Sequence, residues 1–189
     1  MNQIEADALQ ENEKTFVDFS QQAKYSEEYW KTEEKVFDKL KIVSDKCMDT
    51  STKLGAMVVL GDFSYNSNYK VEGMRQIGIN FIRKYLSFSV SEFSEEISDL
   101  LLKNSDGAFV VNKDGQILAT KMYLEVRKPS LDVPDGCGTR HITAASFSTR
   151  KEVECIFTLS EETSIVRVWK DGIVIEQYDP SELKEIVKK

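Results

Sequence analysis

Two continuous apolar runs constrain the fold of this chain more than any other feature of its sequence. Residues 56–60 and residues 108–111 are apolar at every position, without the polar alternation of a strand that faces water on one side. Gly61 and Asp62 close the first run, and the polar residues 112–115 close the second with turn chemistry. Both runs therefore predict strands that are buried on both faces of a sheet.

Apolar segments further along the chain predict the rest of this sheet. Residues 116–124 follow the second run after a polar turn, as the returning strand of a hairpin does. Asp171 and Gly172 separate two apolar segments, which is a strong hairpin signal. The full prediction is an α/β fold, a mixed and mostly central β-sheet flanked by helices, with strands also at 155–159, 165–169 and 173–175, helices at 93–103, 139–148 and 179–186, and a polar loop at 128–138.

The N-terminal segment predicts helix rather than strand. No proline or glycine occurs between residues 4 and 48, and charged residues alternate with apolar ones, which favours one or two helices. Two apolar stripes follow helical spacing: Val36, Leu40, Val43 and Cys47, and upstream of them Phe16, Phe19 and Ala23. Core packing explains both stripes; alternatively, the upstream helix packs on a neighbouring subunit or covers the active face.

The charge of the chain argues against one class of partner. The formal net charge is -7, whereas nucleic-acid backbones are bound by clustered Lys and Arg, so we expect no nucleic-acid partner. The same charge does not argue against a nucleotide. A few backbone amides, one or two cations and a divalent metal can offset phosphate charge locally.

The cysteines and the N-terminus bear on the compartment. Cys47, Cys137 and Cys155 are widely spaced, and the chain has one histidine, so reduced thiols are expected rather than a zinc site. The first residues lack the basic and then apolar run of a signal peptide, and no stretch of about 18 apolar residues occurs. We therefore expect a cytoplasmic protein that does not enter a membrane.

Three short motifs carry residues with chemical capability. Asp106, Gly107 and Ala108 begin a predicted strand, where two small residues let a ligand approach the backbone and the carboxylate can hold a divalent cation or accept a proton. In isolation, an aspartate before a strand is more often a simple turn residue.

The second motif is a glycine-rich loop that runs into a predicted helix at residues 136–141. Free amides at a helix N-terminus point towards an anion, Thr139 adds a hydroxyl group, and Arg140 can grip phosphate oxygens through two donors. The bland alternative is a capped helix with a solvated Arg140 and a partly buried His141.

The third motif, residues 160–163, comes directly after a predicted strand. Ser160, Glu161 and Glu162 could bind a triphosphate and its metal, although two adjacent acidic residues at a strand end are usually solvated turn residues.

Taken together and in this order, the motifs resemble those of the diadenylate cyclase domain family, which has DGA at a strand start, GTRHR at a helix start and SEE(T) after the next strand. This chain has DGA at 106–108, GTRH at 138–141 and SEET at 160–163. Residues 54–61 resemble the family's first core strand, and Tyr123 with Leu124 match residues that line its adenine pocket. The resemblance covers residues 54–178. It divides the chain into a helical N-terminal segment, 1–50, with a role in assembly or regulation, and a cyclase domain, 51–189.

The resemblance implies a diadenylate cyclase that condenses two ATP molecules into cyclic di-AMP and two pyrophosphates at the interface of two facing subunits of a homo-oligomer. It implies Asp106, Arg140 and His141 as catalytic residues and Mg or Mn as cofactor, held by Asp106 and Glu161. The implied ATP-binding residues are Gly107, Ala108, Tyr123, Leu124, Gly138, Thr139, Arg140, His141 and Ser160.

Three departures from the family pattern keep other functions open. Ile142 stands where GTRHR has its last arginine, Ser164 stands where a glycine usually follows SEET, and residues 104–105 are Asn-Ser where the family has Leu-His. Losing one charge-assisted phosphate contact costs on the order of 1.5 to 3 kcal/mol. A weak or inactive module that senses ATP or cyclic di-AMP is therefore the second hypothesis, and an interaction domain unrelated to nucleotides is the third.

Overall fold

The computed structural model describes residues 19–63, 72–78, 88–89, 106–126, 133 and 137–182, and the structural statements below refer to these residues. Within them, one eight-stranded sheet forms the body of the protein. Its strands are β1 (Ala56–Gly61), β2 (Met74–Gln76), β3 (Phe88–Ser89), β4 (Ala108–Asn112), β5 (Gln116–Leu124), β6 (Val153–Leu159), β7 (Val166–Lys170) and β8 (Ile173–Tyr178).

The two apolar runs form the centre of the sheet, as the sequence predicts. The strand order is β2-β5-β4-β1-β6-β7-β8, and β3 pairs with the same strand as β2, namely β5. β1 pairs in parallel with β4, placing Val59 beside Val110, and pairs antiparallel with β6 on its other edge. Every residue of β1 and β4 is buried. The α/β class with a mixed central sheet is confirmed.

A long helix, α1 (Phe19–Thr50), covers one face of the sheet. Its stripe of Val36, Leu40 and Cys47 is buried, and Val43 packs partly buried against the same cluster. Because side chains alternate along a strand, Val58 of β1 belongs to this core while its neighbours belong to the other. Core packing of this stripe is therefore confirmed.

A shorter helix, α2 (Thr139–Phe147), covers the opposite face. Ala144, Ala145 and Phe147 are almost fully buried there and form a second core with β-strand residues that include Val59 and Trp169. The small alanines let α2 lie close to the sheet, so the N-terminus of α2 reaches the edge where β1 and β4 begin.

The predicted hairpins also form. β4 and β5 pair antiparallel around a turn in which Gly115 has a φ of +80°, and β7 and β8 pair around Asp171 and Gly172, both left-handed. The helix predicted at 93–103, Phe16 of the upstream stripe, most of the loop at 128–138 and the end of the last helix lie outside the described residues. Among the described helices, none combines the length and apolar character needed to cross a bilayer.

Candidate active site

A cavity of about 780 Å³ opens at the end of the sheet where β1 and β4 begin. The end of β5, the start of α2 and the turn after β6 meet there. Its lining is Lys53, Met57, Ile77, Gly107, Met122, Tyr123, Leu124, Cys137, Gly138, Thr139, Arg140, His141, Thr143, Ser160, Glu161 and Glu162. All three sequence motifs therefore contribute to one cavity.

The N-terminus of α2 supplies unpaired backbone donors to this cavity. Gly138 is the N-cap residue, and no side chain caps the helix. The first amides of a helix have no intrahelical partner and carry the positive end of the helix dipole. Among the described residues, no atom lies within 4 Å of where a Cβ on Gly138 would stand.

Arg140 lies between α2 and the start of β1. A Cβ built on Gly55 would lie 2.1 Å from Nη1 of Arg140, so the guanidinium group occupies space that any side chain at position 55 would fill. Nη2 of Arg140 is 3.9 Å from Oε2 of Glu161, and both side chains are partly exposed. This ion pair is loose, and an incoming anion can compete with the carboxylate for the guanidinium.

His141 is buried with 6% of its surface exposed. Nη1 of Arg167 lies 3.3 Å from its Nε2, and the ring of Trp169 lies 5.9 Å away between centroids. Burial, then the charges of Arg167 and Arg140, lower the pKa of His141 to about 4. The ring is therefore neutral at pH 7.

The tautomer of His141 follows from its neighbour. A guanidinium group only donates hydrogen bonds, so Nε2 accepts and the proton of the neutral ring lies on Nδ1. Nδ1 is buried and has no hydrogen-bond partner among the described residues. His141 is therefore a neutral imidazole rather than a cation.

The turn after β6 brings Ser160 and Glu161 to the cavity. Oγ of Ser160 accepts a hydrogen bond from the amide of Thr163 at 3.3 Å, and the Ser160 carbonyl accepts one from the amide of Ser164 at 3.0 Å. Ser160 is buried, whereas Glu161 and Glu162 are exposed. The turn thus combines one buried, hydrogen-bonded hydroxyl group with two exposed carboxylates.

The DGA motif lies at the rim of the cavity. Gly107 lines it with a φ of +93°, and a Cβ there would approach the backbone of Lys121 and Met122 to about 2.9 Å. Ala108 is fully buried in the sheet opposite Met122 and does not line the cavity. Asp106 is exposed one residue before Gly107 and is also outside the lining.

The end of β5 supplies the apolar wall. Leu124 is buried, and Tyr123 is 47% exposed at the mouth, with Cζ of Arg75 5.3 Å from its ring centroid. Met122 adds a buried thioether to the wall, and Ile77 adds a half-exposed side chain at the mouth. An exposed aromatic ring beside apolar side chains suits a flat heterocycle.

Several residues that line the cavity were not predicted from the sequence as site residues: Lys53, Met57, Ile77, Met122, Cys137 and Thr143. Cys137 lies within the glycine-rich motif and could have been included on that ground. Lys53 and Ile77 belong to no motif, and only the pairing of strands brings them to the cavity. Arg167, which contacts His141, likewise required knowledge of the sheet order.

The carboxylates of the site fit a metal that is shared with a ligand. No group of three or more metal-ligating His, Cys, Asp or Glu side chains occurs among the described residues. Mg²⁺ is usually held by one or two carboxylates together with substrate phosphates and water. Glu161 in the cavity and Asp106 at its rim could be the carboxylates of such a site, which is completed by substrate phosphates and water.

Comparison with known proteins agrees with the geometry. A diadenylate cyclase of Methanocaldococcus jannaschii is 32% identical over 101 residues, covering 52% of this chain and 32% of that protein. A diadenylate cyclase of Haloferax volcanii is 31% identical over 130 residues, covering 67% of this chain and 45% of that protein. The chain therefore matches less than half the length of either relative.

A solved structure shares the fold. A hypothetical membrane spanning protein from Bacillus cereus superposes with a TM-score of 0.50 at 20% identity, covering 72% of this chain and 61% of that one. The family model for the DisA bacterial checkpoint controller nucleotide-binding domain matches residues 48–174, which include all three motifs. The chain belongs to this diadenylate cyclase domain family.

Proposed function

We propose that this chain is a diadenylate cyclase, which joins two ATP molecules into cyclic di-AMP and releases two pyrophosphates. The observation that carries the proposal is the convergence of three motifs, distant in sequence, on one cavity in a chain of this family. The names of the two relatives support the same reaction.

The triphosphate is proposed to bind at the N-terminus of α2. Gly138 and Thr139 present backbone amides there, and Arg140 adds a cation that is already close to a carboxylate it can exchange for phosphate. His141 lines the same part of the cavity as a neutral side chain, and Ser160 contributes a hydroxyl group. The adenine is proposed to lie against Tyr123 and Leu124, which form the apolar wall.

Glu161 and Asp106 are the residues proposed to hold Mg or Mn. A bound divalent ion offsets the negative charge of the phosphates and of the leaving pyrophosphate. Glu161 is paired only loosely with Arg140, so its carboxylate is available to a metal once phosphate engages the arginine.

Asp106 is proposed to orient the attacking ribose hydroxyl group and take its proton. The hydroxyl oxygen of each ATP forms a bond to the α-phosphorus of the other, and the bond from that phosphorus to the pyrophosphate breaks. The reaction occurs twice, which requires two sites face to face in a homo-oligomer, where proximity and orientation are the main contribution. The exposure of Asp106 and Tyr123 at the rim of the cavity supports this proposed arrangement.

A cytoplasmic location is part of the same proposal. ATP is a cytoplasmic substrate, and within the described part of the chain Cys47, Cys137 and Cys155 form no disulfide, as expected under reducing conditions.

The test is incubation of the purified chain with ATP and Mg or Mn, followed by mass analysis of the nucleotides and a pyrophosphate assay. We expect cyclic di-AMP that disappears with a chelator, and a specific rate that rises with protein concentration because the sites act in pairs. Saturable ATP binding without product would contradict the cyclase and support the sensor, whose sequence basis is Ile142 and Ser164. If the rate per subunit did not depend on protein concentration, the subunits would not be associating into active pairs during the assay.

A further inference from the structure

A residue of α1 contacts the nucleotide-site turn from outside the family-matched region. Oγ of Ser44 donates a hydrogen bond to the backbone carbonyl of Ser164 at 2.5 Å, across 120 positions of sequence. Ser44 is fully buried, and it precedes residue 48, where the family match begins. The adjacent residue of α1, Asp45, accepts a hydrogen bond from the hydroxyl group of Tyr178 at 2.6 Å. This part of α1 is therefore fixed to the sheet by two successive side chains.

The carbonyl that Ser44 binds belongs to a left-handed residue. Ser164 has a φ of +57°, a conformation that is unfavourable for residues with a Cβ and is readily adopted by glycine. Cyclases that this chain resembles usually have glycine at this position. Here the amide of Ser164 is bonded to Ser160 and its carbonyl to Ser44, so both sides of the residue are held.

The turn must keep this shape for its side chains to reach the cavity. The Ser164 amide closes the turn onto the carbonyl of Ser160, and the amide of Ser160 bonds to the carbonyl of Ile165 at 2.9 Å. A change of φ at Ser164 would break the first of these bonds and move Ser160 and Glu161, which both line the cavity.

We propose that Ser44 is a positioning residue of the nucleotide site: its hydrogen bond holds Ser164 in the left-handed conformation and thereby fixes Ser160 and Glu161 for the triphosphate. This inference rests on the proposed function, because it assigns the turn to ATP. It makes α1 a working part of the site and explains how a serine can replace the usual glycine.

The chain offers a matched control at the other end of the same helix. Oγ1 of Thr32 donates a hydrogen bond to the carbonyl of Lys113 at 2.8 Å, in the β4–β5 turn far from the cavity. A Thr32→Val variant removes an α1 hydroxyl group of the same kind without touching the Ser160 turn. A general effect of weakening α1 would appear in both variants.

The experiment measures KM for ATP, kcat and the ATP dissociation constant for wild type, Ser44→Ala, Ser164→Gly, Ser44→Ala with Ser164→Gly, and Thr32→Val. We expect Ser44→Ala to raise KM and the dissociation constant roughly two- to twelvefold, the effect of one neutral hydrogen bond. Ser164→Gly should restore the wild-type values in the double variant, because glycine adopts the conformation without support. Alanine favours helix, so α1 itself should persist, and thermal unfolding checks this.

Three results would overturn the proposal: an unchanged KM and dissociation constant in Ser44→Ala, an equal rise in KM for Thr32→Val, or a double variant that is as impaired as Ser44→Ala. The proposed function is judged separately by the wild-type product. A wild type that binds ATP without forming product contradicts the cyclase, and the ratios of dissociation constants still decide the role of Ser44. A wild type that does not bind ATP overturns both.

Discussion

The two turns that α1 contacts, residues 112–116 and residues 160–164, meet the same backbone requirement with different residues. Each needs a left-handed residue, which is Gly115 in the first turn and Ser164 in the second. In the first turn, Oδ1 of Asn112 also accepts hydrogen bonds from the amides of Asp114 and Gln116, at 3.1 and 2.8 Å. The first turn therefore adopts the left-handed conformation with a glycine, whereas Ser164 in the second turn carries a Cβ in that conformation and, by the proposal above, is supported by Ser44.

The largest effect is expected from Asp106, and Asp114 at the opposite end of the sheet provides the comparison. Asp106→Asn should lower kcat by about 100- to 10,000-fold, the usual contribution of a positioned proton acceptor, while much of the ATP affinity remains. Asp114→Asn, in the turn at the opposite end, should leave kcat unchanged because its side chain is exposed and remote from the cavity. The measurement is steady-state cyclic di-AMP formation. Undiminished turnover in Asp106→Asn would remove this residue from the mechanism.

The second prediction concerns the acid stability of the cavity end. Because the pKa of His141 falls from 6.5 to about 4 on folding, the unfolded chain binds a proton that the folded chain does not as the pH drops through this window. The contribution of His141 to the free energy of unfolding is therefore constant above pH 6.5 and falls as the pH is lowered from 6.5 towards 4. We expect His141 to account for about 2 to 3 kcal/mol of the loss between pH 7 and pH 4.5.

The measurement is chemical denaturation of wild type and His141→Gln at both pH values. The chain has one histidine, so no other imidazole contributes to the difference. The variant should lose less stability on acidification than wild type by about 2 to 3 kcal/mol. Equal losses in the two proteins would mean that His141 titrates normally in the folded chain.

The glycines at the two ends of β1 offer the third comparison. A Cβ on Gly55 would meet the mobile guanidinium group of Arg140, whereas a Cβ on Gly61 would lie 2.2 Å from the backbone carbonyl of Glu152. Gly55→Ala should therefore displace Arg140 and lower kcat/KM by about tenfold or more, with little loss of stability. Gly61→Ala should cost about 1 to 3 kcal/mol of stability, with kcat/KM retained in the folded fraction.

A double-mutant cycle tests whether Gly55 acts through the arginine. In an Arg140→Ala background, Gly55→Ala should have no further effect on kcat/KM, because the group that it displaces is gone. Additive losses would show that position 55 affects the site by another route, such as a shift of β1.

The sequence predicts those parts of the fold that depend on local patterns, and it does not predict the contacts between distant segments. The buried runs of β1 and β4 and the Asp171 hairpin are local patterns, since burial on both faces and a left-handed turn each leave a short signature. Which edge of β1 receives β6 is not local, and neither is the contact between α1 and the turn after β6.

The candidate site divides in the same way. Gly138, Arg140 and Ser160 were predicted from motifs and line the cavity, although their roles stay predictions. Met122 reaches the wall because β5 contains a bulge at Lys121, a left-handed residue that no turn signature marks. Arg167 reaches His141 only because β7 lies beside β6. Such residues enter the site through strand register, which depends on the whole sheet.

The smallest effect comes from exchanging the left-handed residues of the two turns. Gly115→Ser should lower the free energy of unfolding by about 1 to 2 kcal/mol, because serine adds a Cβ to a conformation that disfavours it. Ser164→Gly should change it by less than about 1 kcal/mol, since the relief of that strain is offset by the greater entropy of glycine in the unfolded chain. Chemical denaturation of both variants measures the difference. If Gly115→Ser were harmless, the hydrogen bonds of Asn112 and Thr32 would suffice to hold this turn without a glycine. If Ser164→Gly were strongly destabilising, the serine side chain would itself support the turn, and the proposed rescue of Ser44→Ala would lose its physical basis.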